Sequence, residues 1–177
     1  MDESTSKADA YGRYAKYLPK TDDPTLVILK GHLIIEELLH SLATGHCPNP
    51  ESLTKARLTF AQITYVAQAL LQLPADLPWW EPVLALNKVR NSLVHELEPR
   101  AFESHLTALY GLCKPKDASE LKDWKEPESL SQTARYCVLY IMGQMAAVTE
   151  VAEVLRKHFP SGQRLQRTDK GSVGDAA

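Results

Sequence analysis

The chain has 177 residues, 44 % of them hydrophobic and 24 % charged, with a formal net charge of −2. That describes one domain of ordinary size with enough apolar mass to build its own core. It lacks the strongly basic balance of a protein held on nucleic acid mainly through phosphate contacts. Three scattered cysteines, Cys47, Cys113 and Cys137, form neither a CxxC pair nor a disulfide framework and read as reduced thiols, at least one of them in a core. No apolar N-terminal run precedes a cleavage-like site. The longest low-charge stretch, Arg135 to Glu150, contains Gln144 and is too short to span a bilayer, so the expectation is a cytoplasmic protein without a membrane segment.

Residues 1–23 form a polar arm carrying Tyr11, Tyr14 and Tyr17 and bounded by Pro19 and Pro24. The helical bundle is expected over 24–159, because apolar residues recur with helical spacing throughout and no alternating run is long enough for a strand. A first helix runs from about Pro24 to Ala43, with Asp23 as its cap and Pro24 in the first turn, where a missing N–H costs nothing. A second runs from about Leu53 to Leu73, opened by Asn49-Pro50-Glu51 and closed by Pro74. A third starts near Pro78-Trp79-Trp80 and continues to about Glu96, its two tryptophans expected to pack against a neighbouring helix rather than to stack on bases. A fourth spans Pro99 to about Cys113, and the polar stretch 114–128 reads as a loop. A fifth, from about Ser129 to Phe159, carries Leu130, Ala134, Cys137, Ile141, Met145, Val148, Ala152 and Leu155 as a narrow apolar seam that core burial explains. Residues 160–177 are polar and unpatterned and read as a disordered tail. The fold class is all-α, a bundle of four or five mostly antiparallel helices.

The third helix concentrates the chemistry. On a wheel of about 100° per residue, Leu86, Val89, Leu93 and Leu97 share a core face, while Lys88, Asn91 and His95 share the outward one. Arg90 falls at the border of the core face, about 140° around the axis from His95, so on a straight helix the two side chains diverge unless the arginine bends round. An arginine at a core border usually takes an acidic partner, and Glu36 or Glu37 on the first helix is the candidate. His32, Glu36 and His40 form an i, i+4, i+8 stripe on that helix, which reads as hydrogen-bonded pairs rather than as a metal site, because its ends lie ~12 Å apart.

Leu86-Asn-Lys-Val-Arg-Asn-Ser-Leu-Val-His95 resembles the motif helix of HEPN domains, whose ribonuclease members carry Arg, a polar residue and then His four to six positions on. Gly31 to Leu39 and Ala56 to Gln62 are similar to the two helices that precede it in small bacterial HEPN-like proteins, so the resemblance covers roughly residues 25–110. It implies an HEPN-like bundle that dimerises so that two motifs share one cleft. It further implies an RNA-cleaving activity of the toxin or defence type that needs no metal or other cofactor and works beside an antitoxin or regulatory partner. In that reading Arg90, Asn91 and His95 are catalytic, and Lys88 and Ser92 help bind RNA. The chain is also similar to the mannitol-operon repressor group, which implies instead a non-catalytic interaction module or regulator, and the acidic balance favours that alternative. No phosphate-cradling glycine loop and no nucleophile elbow accompany the motif.

Overall fold

The computed structural model describes residues 12, 14–71, 77–95, 100–116 and 124–158, and of His95 only the backbone. Most of the polar arm before Tyr14 and the whole 160–177 tail lie outside the described residues. The protein is all-helical, with no strand among the described residues. After a short helical segment at 14–17 come α1 (Pro24–His46), α2 (Pro50–Lys55), α3 (Phe60–Leu70), α4 (Trp80–His95), α5 (Phe102–Cys113) and α6 (Leu130–His158).

Local chemistry sets these boundaries. Asp23 Oδ1 accepts the Thr25 N–H at 2.9 Å and starts α1, with Pro24 in its first turn. Asn49 Oδ1 accepts the Ser52 N–H at 3.2 Å and starts α2. The continuous second helix expected from Leu53 to Leu73 is in fact broken. Arg57 takes a left-handed φ of 49°, which a side chain bearing a Cβ adopts reluctantly, and the chain restarts at Thr59. Thr59 and Gln62 form a reciprocal capping box, in which the Gln62 N–H donates to the threonine hydroxyl and the Thr59 N–H donates to the glutamine carbonyl. The Thr59-x-x-Gln62 spacing is the sequence signal for this restart. Ser129 Oγ accepts the Gln132 N–H and opens α6, whose last turn carries Arg156, Lys157 and His158 at the negative end of the helix dipole.

α1 is the hub. It packs against α2, α3, α4 and α6, while α4 also touches α3, α5 and α6, and α5 lies on α6. Ile28, Ile35, Leu39, Ile63, Leu86, Leu106, Leu109 and Ile141 are the large side chains fully withdrawn from water. Most of the α6 seam joins this core, although Leu130 at its start is exposed. Trp80 is buried and Trp79 half-buried against the core, as the packing reading expected. Cys113 and Cys137 are buried free thiols, and a hydrogen bond between them together with burial pushes the Cys137 thiol well above its ordinary value, so it stays protonated. α6 extends well past the 135–150 run, and by length and composition alone it is a helix that can cross a membrane.

α1 and α6 come close together at Gly31. A Cβ on residue 31 would lie 2.8 Å from Val138 Cγ1 and nearer still to Cγ2. Gly31→Ala therefore destabilises by about 1–3 kcal/mol of overpacking despite the better helix propensity of alanine. Adding Val138→Ala to it recovers stability relative to Gly31→Ala alone. Urea unfolding of the two single variants and the double variant measures this coupling, and additive losses would show that the two residues do not press on each other.

Candidate functional site

The site forms where α1 and α4 cross, and its floor is built by the helix restart. Because Thr59 caps α3, Phe60 begins that helix and its ring lies beneath His32, with ring centroids 4.0 Å apart and an interplanar angle of 27°. His32 belongs to the buried face of α1 and is 5 % exposed, so its polar atoms need partners inside the protein. Its Nε2 lies 3.2 Å from Asn87 Oδ1 on α4, which fits an Nε2–H donor, and its Nδ1 lies 4.0 Å from Glu36 Oε2 one turn further along α1. The pairing tethers two helices whose partners stand 55 residues apart in sequence.

Asn87, Arg90 and Asn91 stand at i, i+3 and i+4 on α4, so the tether continues along one flank of the helix. Arg90 is half-buried at the edge of the core. Its guanidinium swings round the helix and donates from Nη1 to Asn91 Oδ1 at 3.2 Å. The arginine stem thus leans toward the next residue of the helix, and its charge also stands near enough to His32 to act on it. Asn91 is half-buried and Lys88 exposed. His95 ends α4 one turn beyond Asn91, and its side chain lies outside the described residues. Ser92 turns the other way. It is 8 % exposed, and its hydroxyl donates to the Val89 carbonyl at 2.7 Å, so it braces the helix rather than facing a ligand.

The acidic partner expected for Arg90 is not where the sequence suggested. Among the described residues no carboxylate forms an ion pair with Arg90. Glu36 sits against His32 instead, and Glu37 projects from another side of α1. There Glu37 lines a separate groove of about 950 Å³ with Tyr17, Lys30, Leu33, His46 and Arg156. Among the described residues Arg90 is therefore a partly withdrawn cation whose hydrogen-bond partner is a neutral amide. Among the described residues no three His, Cys, Asp or Glu side chains converge as metal ligands. Asn87 is the member of the cluster that the sequence reading passed over, and its signal was its place three and four positions before Arg90 and Asn91.

No family model matches the chain, and no curated protein or solved structure matches it. The likeness of α4 to a known motif helix therefore rests on the residues of that helix and its neighbours.

Burial holds the His32 imidazole below its ordinary value, the positive Arg90 acts in the same direction, and the Asn87 hydrogen bond and the Glu36 carboxylate oppose them. The folded state thus binds this proton less readily than the unfolded chain. The contribution of His32 is fully present above the ordinary value of about 6.5 and is lost as pH falls below it toward the folded value. His32→Phe keeps a ring on Phe60 but cannot titrate. Urea unfolding between pH 7.5 and 5 should show the parent losing stability faster than His32→Phe, and parallel pH curves would rule out this role for His32.

Proposed function

We propose that the protein is a ribonuclease of the HEPN type, cutting RNA by attack of a ribose 2′-oxygen on the adjacent phosphate. The observation that supports this reading is the half-buried Arg90 guanidinium, which has no ion-pair partner among the described residues and is turned onto Asn91, one helical turn before His95. A partly desolvated charge is costly unless something of opposite sign meets it. A phosphate is such a group, and the planar fork of an arginine suits its oxygens. In the reaction the 2′-oxygen forms a bond to phosphorus, and the bond from phosphorus to the 5′-oxygen breaks. His95 takes the 2′ proton or supplies the proton to the leaving oxygen, for which a near-neutral imidazole is suited. Arg90 neutralises the charge gained by the phosphorane, and Asn91, its carbonyl engaged by Arg90, turns its N–H₂ toward the phosphate. Lys88, exposed on the same side of α4, adds a cation for the RNA backbone. Two protomers each bring one such motif to a shared cleft, in the cytoplasm, where an antitoxin-like or regulatory protein restrains it.

The net charge of −2 favours a second reading, a non-catalytic interaction module resembling the mannitol-operon repressor group. Cleavage separates the two. Purified protein with mixed cellular RNA and EDTA should give 2′,3′-cyclic phosphate and 5′-hydroxyl ends. His95→Ala and Arg90→Ala should each slow this by about 100-fold or more, and Arg90→Lys should not restore it, because an ammonium lacks the two-pronged geometry. Folded protein that leaves varied RNAs intact, or a His95→Ala variant as fast as the parent, favours the interaction module.

A further inference from the structure

Among the described residues of α1 to α6, Gly45 and Gly111 stand in the last turns of α1 and α5, where a Cβ would meet nothing within 4 Å, while Gly31 and Gly143 stand in helix interiors and can be compared directly. Gly31 is explained inside the chain, because a Cβ there would strike Val138. Gly143, in the middle of α6, is not: a Cβ there would meet nothing within 4 Å. A glycine in an exposed helix interior costs about 1 kcal/mol relative to alanine, and no contact among the described residues offsets that cost.

Gly143 lies on a face of α6 that is unusual for a helix facing water. Opposite the core seam, the exposed residues are Leu139, Gly143, Ala147, Glu150, Val151 and Val154. Leu139 is 42 %, Val151 40 % and Val154 49 % exposed, and Glu150 is the one charge among them. The outer face of an ordinary surface helix is polar, and helices apolar on both sides are normally covered on both. The row from Leu139 to Val154 is roughly 22 Å long.

We propose that this face of α6 binds a second copy of the chain, helix against helix and antiparallel. By size its central row is symmetric about a point between Gly143 and Ala147, with small residues at the centre and a larger apolar residue, Leu139 or Val151, one turn out on each side. A two-fold axis there sets Gly143 on the partner's Ala147, Leu139 on the partner's Val151 and Tyr140 on the partner's Glu150. Small residues meet small ones at the crossing, where the backbones come nearest, and large apolar residues meet at the flanks. The single charge finds a phenol, which can donate to it. The i, i+4 spacing of Leu139, Gly143, Ala147 and Val151 is the ridge that packs into the matching groove of a second helix. A two-fold contact needs a self-complementary patch of this kind, and the unexplained Gly143 becomes the residue that lets the helices approach. The pairing does not depend on the nuclease reading; if that reading holds, this contact is a means of keeping two protomers together without RNA.

The test is the mass of the full-length chain in solution by sedimentation equilibrium, beside Gly143→Leu and Ala147→Glu. Both positions are exposed, and Gly143 has open space around it, so circular dichroism should show both variants folded. The parent should weigh two chains, and each variant should pair at least about 30-fold more weakly. In a Cys47→Ser background, a mixture of Gly143→Cys and Ala147→Cys chains should cross-link more than either alone. A parent that stays single at high concentration, or a dimer indifferent to both substitutions, overturns the proposal. So does partition of the parent into phosphatidylcholine vesicles that Ala147→Glu abolishes, since lipid would then cover the row. None of these readouts requires RNA cleavage, so a chain that pairs but cuts nothing refutes only the nuclease.

Discussion

The bundle depends on the approach of α1 to α6 at Gly31. With no side chain at that position, the Val138 methyls occupy the space a Cβ would fill, and the two longest helices of the protein lie together. α1 is then enclosed by α2, α3, α4 and α6. An enclosed helix can carry a polar residue on its inner face only if another element satisfies it. That condition falls on His32, one residue after Gly31 and directed toward α4. The contact between α1 and α6 is a matter of shape; its consequence about 100° round α1, at His32, is a matter of hydrogen bonding.

The consequence reaches α4 as a fixed rotation. Asn87 must face His32 for the bond between them to form, and a helix is rigid enough that setting residue 87 also sets residues 90 and 91. Arg90 is thereby held near the neutral imidazole and bonded to an amide, with no carboxylate in an ion pair with it among the described residues. The two effects are consistent with each other. A protonated His32 next to the Arg90 guanidinium would place two cations in a half-buried space, and burial and Arg90 act together to keep His32 neutral. The cluster thus carries one cation held close to the surface of α4, with an amide on either side of it along the helix.

Much of this was legible in the sequence, and what was not has identifiable causes. The helical class, the cap at Asp23, the burial of Leu86 and Val89 on α4 and most of the α6 seam follow from periodicity and local hydrogen bonding, which are properties of neighbouring residues, while Pro74 and Leu97 lie outside the described residues. The break before α3 was missed because Arg57 gives no composition signal for a left-handed φ, although the Thr59-x-x-Gln62 box stood in plain sight. The supposed ion pair of Arg90 with Glu36 or Glu37 was a guess about which faces meet. Glu37 lies about 140° round α1 from His32, on the side that lines the groove with Lys30 and Arg156, so no rotation that buries His32 can also offer Glu37 to α4. Pairings between distant segments are decided by packing, and the link between His32 and Asn87 is of that kind.

The swing of Arg90 onto Asn91 bears on how such a motif should be read. Sequence spacing alone sets Arg90 and His95 about 140° apart and argues against a common target. Side-chain length changes that argument, because a guanidinium at the end of a long stem can travel round the helix while an imidazole cannot. In this chain the half-buried stem starts at the core border, and the charge meets an amide one turn short of the position of His95. An arginine at a core border is therefore not spent on the core. Its position gives it a supported stem and a preferred direction, and less conformational freedom is then lost when an anion arrives. The same placement with lysine would deliver a single point charge without the fork, which is why the residue type at position 90, and not only its charge, carries the reading of α4.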